Sequence, residues 1–175
     1  EQNHLSILYA RESAKRCRDI PMNNAIQAVE DMKKGTLSDA WQLVMETNIM
    51  AGGLVGGFGD QYGRATAAHS VHDALTLFPE TVHLLHGAKV AYGIMVQLAL
   101  EKKWEEIRHL QPFYRKLDLP VNLHDLRLDN KTEQEIRKLA AYSVTPDKTI
   151  HLLPFEVTAE SVFDAIKQLE SVTVK

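Results

Sequence analysis

The sequence predicts an all-α protein, a bundle of roughly seven to nine helices joined by short loops. Two observations carry that expectation. Apolar residues recur at helical spacing through most of the 175 positions. No stretch alternates with period two for long enough to propose a sheet. Helix-start chemistry supports them: Ser38 and Thr132 stand where periodic segments begin.

The elements follow in chain order. Ala25, Ala28, Val29 and Met32 fall at i, i+3, i+4 and i+7, one stripe of a helix. Ser38 reads as the N-cap of a second helix carrying Trp41, Val44, Met45 and Ile49 on one face. The segment AGGLVGGFGDQYGR then places six glycines between Gly52 and Gly63. Glycine inside a helix costs about 1 kcal/mol relative to alanine, so this density needs a reason. It marks either close approach of the backbone to a ligand or another helix, or a helix end with a kinked linker. A nucleotide-binding loop is disfavoured, because Gly57-x-Gly59-x-x-x-Gly63 misses the dinucleotide spacing by one residue and no strand precedes it.

Positions 64–77 read as a helix that breaks at Pro79, and a further helix is expected from about Gly87. Trp104, Ile107 and Leu110 mark another, expected to stop near Pro112. Thr132 and Glu135 form a capping-box pair. Positions 149–157 are expected to be briefly extended at most, since Pro154 argues against a strand. The last helix is expected after Thr158, with Val162, Phe163, Ile166 and Leu169 facing inward.

Bulk properties narrow the function. The hydrophobic fraction of 45% supports a real core, and a net charge of −3 gives no electrostatic case for nucleic acid. Cys17 is the single cysteine, which rules out an internal disulfide framework and favours a reducing compartment. Neither a signal peptide nor an apolar run of about 18 residues is apparent. A soluble cytoplasmic protein with no membrane partner is the expectation.

The chemistry concentrates at Ala67–Gly93, which holds four of the eight histidines. His69 and His72 are i, i+3 neighbours on one helix face. His86 stands where the next helix begins, so a hairpin can bring His69 and His86 together. Two neutral imidazoles from adjacent helices suit a divalent metal, with room for a third ligand and an open position. Ala67, Ala68, Gly87 and Ala88 are small enough to let the helices approach. His72 reads as a substrate contact, a proton relay or a packed polar residue. Asp73 lies about 100° around the helix from His72, away from a shared ion. His83 reads as a loop residue. His4, His109, His124 and His151 lack local partners and read as surface or capping residues.

The segments AAHSVHDALT and HGAKVAYG resemble the C-terminal helical domain of the iron-containing alcohol dehydrogenase superfamily, in its glycerol dehydrogenase branch. That branch carries a pattern close to A-A-H-x-x-H-N-G-L-T followed by H-G-x-K-V-A-[FY]-G. AGGLVGGFGDQYGRA, LDLPVNLHDL and TIHLLPFEVTAESVFDAI extend the resemblance, which runs from about Met22 to the end. It implies a dehydroquinate synthase-like helical domain. It also implies an N-terminal α/β domain, absent from this chain, that binds NAD or NADP. The chain would then be one part of a two-domain dehydrogenase, 1–175 being its metal-binding domain and inactive alone. The metal, zinc or iron, would polarise an alcohol oxygen, with His69 and His86 as two ligands and a third, an aspartate, expected upstream of Glu1. His72 would contact substrate or relay a proton. The implied partners are a small hydroxy or keto compound, the nucleotide-binding domain and further copies of the chain in a homo-oligomer. Asp73-Ala74 stands where the family usually has Asn-Gly, and Ala88 where Glu is frequent; both departures bear on the substrate rather than on the metal histidines. Two other classes compete: a metal-free helical interaction module, and an HD-type metal phosphohydrolase suggested by the adjacent His72-Asp73.

Overall fold

The computed structural model describes residues 4–64 and 66–172. Among them the secondary structure is helical throughout, with no strand, so the all-α expectation holds. No helix among these residues is long and apolar enough to cross a membrane. The chain divides into two compact units, Glu1–Arg64 and Ala65–Lys175.

The first unit is built on a long helix, α1 (Leu5–Lys33), which continues past Pro21. Ser38 caps α2 (Asp39–Glu46) by accepting a hydrogen bond from the Trp41 backbone N–H at 3.2 Å, as its position predicted. One π-helical turn (Thr47–Ala51) leads into α3 (Gly52–Gly59), and α4 (Gln61–Arg64) ends the unit. Helix α1 lies against both α2 and α3. The glycine-rich segment is therefore mostly helix rather than linker. It serves close packing at Gly59, where an added Cβ would stand 3.1 Å from the Ala10 Cβ. The stripe read from Trp41, Val44, Met45 and Ile49 is not buried: Ile49 is 68% exposed. Packing in this unit uses small residues, Ala10 and Ala28, instead.

The second unit holds the larger core. Helices α5 (Ala67–Leu75) and α6 (His86–Leu100) form an antiparallel hairpin, connected through a 3-10 turn at Pro79–Thr81. Helix α7 (Trp104–Lys116) follows α6; α8 (Glu133–Ser143) packs on α5, and α9 (Ala159–Val172) packs on α6 and α8. Val71, Tyr92, Met95, Ile107, Leu139 and Ile166 are completely buried. Each of these side chains other than Tyr92 contributes about 1.5–3 kcal/mol by leaving water.

Capping chemistry sets the helix starts. Thr132 and Glu135 make the reciprocal capping box at α8, the Thr132 N–H donating to Glu135 Oε2 at 2.8 Å. Thr158 and Ser161 exchange backbone-to-hydroxyl hydrogen bonds of 2.9 and 3.1 Å at the start of α9. Two expectations need correction. Helix α7 does not stop at Pro112 but runs to Lys116. Pro112 and Arg108, four residues before it, are both exposed, so the carbonyl left without an N–H partner can turn to water. Positions 149–157 begin with a 3-10 turn, Thr149–Leu152, before the chain extends at Leu153.

Candidate functional site

The α5–α6 hairpin positions the histidines, and its geometry has three local causes. Gly93 lets the two backbones touch: a Cβ there would stand 2.9 Å from the Ala68 Cα and would collide with the Ala68 carbonyl oxygen. Gln97 of α6 caps α5 from across the hairpin, its Oε1 accepting from the Ala68 N–H at 3.2 Å and the Thr66 hydroxyl at 2.9 Å. At the other end the buried Thr81 hydroxyl donates to the Leu75 carbonyl at 2.7 Å, tying the connection back to α5.

His69 and His72 therefore sit one turn apart on α5, facing His86 at the first position of α6. The ring centroids of His69 and His86 lie 5.8 Å apart. Two imidazoles on one tetrahedral zinc at Zn–N of about 2.0–2.1 Å would place their centroids about 5–6 Å apart. His72 meets His86 edge-on, with centroids 4.3 Å apart and 3.0 Å between His72 Nε2 and His86 Nδ1. His86 is exposed, while the His72 side chain is only 13% exposed. His69 Nδ1 is buried with no hydrogen-bond partner. Burial, followed by the neighbouring His86 and His72 rings, lowers the His69 pKa and keeps that imidazole neutral, the form that binds metal. A buried bare nitrogen beside a second imidazole is a donor set that fits a divalent ion. Among the described residues no group of three or more His, Cys, Asp or Glu side chains is arranged to hold an ion.

Asp73 departs from its sequence reading. Its position on the helix wheel does turn away from His72, but the carboxylate folds back, with Oδ1 3.1 Å from His72 Nδ1. Its other oxygen, Oδ2, accepts from Lys148 Nζ at 3.0 Å. Burial opposes the Asp73 charge, but hydrogen bonds from Lys148 and His72 outweigh it and lower the pKa. Lys148 was invisible to local sequence reading because it arrives from 75 residues downstream. Ser70 brings it in: its hydroxyl accepts from the Ile150 N–H at 3.0 Å, and the Thr149 hydroxyl donates to the Thr66 carbonyl at 3.0 Å. The remaining histidines lie apart from this cluster. His83 is in an exposed loop and His109 is exposed on α7. His4 precedes α1 without a side-chain cap bond. His124 lies 3.3 Å from Asp129, and His151 Nε2 lies 3.1 Å from the Val144 carbonyl oxygen, contacts that sequence spacing did not reveal.

No family model matches the chain. It is 37% identical over 167 residues to hydroxycarboxylate dehydrogenase A of Escherichia coli (strain K12), covering 95% of this chain and 46% of that protein. It is 33% identical over 168 residues to glycerol dehydrogenase 1 of Schizosaccharomyces pombe, covering 94% of this chain and 36% of the relative. Its fold matches the crystal structure of glycerol dehydrogenase from Schizosaccharomyces pombe with a TM-score of 0.86 at 31% identity, over 94% of this chain and 41% of that one. A probable glycerol dehydrogenase from Sinorhizobium meliloti 1021 matches with a TM-score of 0.83 at 30% identity, over 95% and 45%. The chain thus spans less than half the length of the relatives it matches. Over nearly its whole length, this all-helical chain is glycerol dehydrogenase-like and belongs with the iron-containing alcohol dehydrogenase superfamily.

Proposed function

We propose that this chain supplies the metal-holding part of an oxidoreductase that moves hydride between a small hydroxy compound and NAD or NADP. The observation that carries the reading is the facing pair His69 and His86, one with a buried nitrogen that no protein group meets. A donor so placed calls for an ion or a water. The names of the relatives, glycerol and hydroxycarboxylate dehydrogenases, support the reaction class.

In this reading His69 and His86 hold a zinc or iron ion, with a third ligand from outside the described cluster. When bound, such an ion supplies Lewis-acid stabilisation of negative charge on the substrate oxygen. The chain's own residues do the rest. The α5–α6 hairpin, closed at Gly93, sets the spacing of the two imidazoles. Burial keeps His69 neutral. His72, joined to His86 on one side and Asp73 on the other, is the group we assign to proton relay. A nucleotide-binding portion of the protein would supply the nicotinamide that exchanges hydride with the substrate. A lone cysteine suits a reducing, cytoplasmic setting, and we expect the protein to work as a homo-oligomer.

Zinc or cobalt(II) titration tests the assignment. One ion per chain is expected at saturation, lost in both His69→Ala and His86→Ala. His72→Ala should keep the saturating stoichiometry and lower kcat in the protein that carries the nucleotide-binding portion. Retention of the ion in both ligand variants would refute the centre, and loss of saturable metal in His72→Ala would make His72 a ligand.

A further inference from the structure

Four side chains from two distant stretches of the chain lie in one hydrogen-bonded row. Lys148 Nζ lies 3.0 Å from Asp73 Oδ2, and Asp73 Oδ1 lies 3.1 Å from His72 Nδ1. His72 Nε2 lies 3.0 Å from His86 Nδ1. The chemistry of the groups gives this row a direction. An ionised carboxylate only accepts, and an ammonium only donates. The Asp73–His72 contact therefore requires the proton of His72 on Nδ1. A neutral imidazole carries one N–H, so His72 Nε2 is bare and accepts. The contact with His86 then requires its proton on Nδ1. His86 Nε2 is left as a free lone pair.

We propose that Asp73 and Lys148 are positioning residues: through His72 they select the Nδ1–H tautomer of His86 and commit its Nε2 lone pair to a divalent cation. The proposal deepens the metal-centre reading and rests on it. Partners of a ligand's second nitrogen commonly fix ring orientation and tautomer in metal sites. Here the selection passes through a second imidazole instead of acting on His86 directly. Lys148 holds the carboxylate in place, and its own side chain is only 11% exposed. It also stacks over the Tyr142 ring, 4.8 Å from the centroid. The docking of Thr149 and Ile150 on α5 ensures that this cation arrives at Asp73 whenever the second unit is folded.

The test reads the tautomer itself. Long-range proton–nitrogen correlation spectra of the nitrogen-15-labelled, metal-free chain at pH 8 distinguish a protonated Nδ1 from a protonated Nε2. That pH lies above the ordinary imidazole pKa of about 6.5. The expected result for the wild-type chain is His86 protonated on Nδ1. In Asp73→Ala, His72 loses its acceptor and the two rings can exchange donor and acceptor, so His86 shifts toward the Nε2–H form. Asp73→Asn, which retains an accepting oxygen, should fall between. Asp73 is 44% exposed on its side chain, so these variants should keep the fold, which circular dichroism checks. Zinc affinity of the same chains should drop about 10–100-fold in Asp73→Ala. A wild-type His86 protonated on Nε2, or identical tautomer and zinc affinity in Asp73→Ala, would overturn the positioning role. The expected tautomer pattern without zinc uptake by the wild-type chain would instead overturn the metal reading and leave the hydrogen-bonded row standing.

Discussion

Helix α3 of the first unit and helix α6 of the second both carry glycine, and apart from Gly59 they use it in opposite ways. In α3 the glycines at 52, 53, 56 and 57 have nothing within 4 Å of where a Cβ would stand. They give up helix propensity without gaining contact. In α6 the single interior glycine, Gly93, is itself buried and lies directly on the Ala68 backbone. The contrast extends to the units around them. The second unit closes a core over Tyr92, Met95 and Ile166, while the first leaves Ile49 and Met50 more than 60% exposed. One carboxyl group in each unit differs as well: a hydrogen bond from Ser38 lowers the pKa of Asp31 in the first, whereas burial raises that of Glu170 in the second to about 7. Glycine count in a sequence therefore does not measure close packing; what faces the glycine does.

The sharpest way to break this comparison is at Gly93. Gly93→Ala should destabilise the second unit by roughly 2–3 kcal/mol, because the added methyl meets backbone that cannot turn aside. Urea denaturation measures the loss, and weakened zinc binding should accompany it as α5 and α6 separate. A neutral Gly93→Ala would mean that the hairpin is not held by that contact.

The next effect is electrostatic. Glu170 Oε1 accepts from the Leu123 N–H at 2.9 Å, yet burial outweighs this bond and raises the carboxyl from its ordinary 4.5 to about 7. Below pH 4.5 the group is protonated in the folded and unfolded chain alike. Between 4.5 and 7 the unfolded chain releases its proton first, so the folded state loses stability as pH rises through that window. Glu170→Gln should remove this slope and stabilise the chain at pH 8 by on the order of 1–2 kcal/mol, allowing for water access. Thermal unfolding from pH 4 to 8 checks it; an unchanged slope would show that Glu170 titrates normally. The smallest effect belongs to α3. Gly56→Ala should stabilise it by about 0.5–1 kcal/mol, since only helix propensity changes. A loss of stability there would reveal a contact that the structure does not contain.

The fold was legible where local chemistry decides it. Ser38, the Thr132–Glu135 pair and Thr158 announced helix starts because capping depends on residues three positions apart. Pro112 misled because whether a proline ends a helix depends on what surrounds the freed carbonyl. The Trp41–Ile49 stripe misled because periodicity names a face without saying what covers it. At the candidate site, the spacing of His69, His72 and His86 was enough to bring the three imidazoles to one place on paper. The helix-wheel angle of Asp73 hides its contact with His72, because it describes the Cβ direction and not the reach of the carboxylate. Lys148 had no local signal at all.

The sequence by itself determined that the chain is helical, where most helices begin, and that three histidines share the α5–α6 hairpin, since propensity, capping and short-range spacing act within a few residues. Only the tertiary structure decided which glycine is a contact, how near His72 comes to His86, and that a lysine from the turn before Thr149 completes the row behind them. Those outcomes depend on packing between segments far apart in the chain, where a side chain's partner is chosen by the whole core and not by its neighbours in sequence.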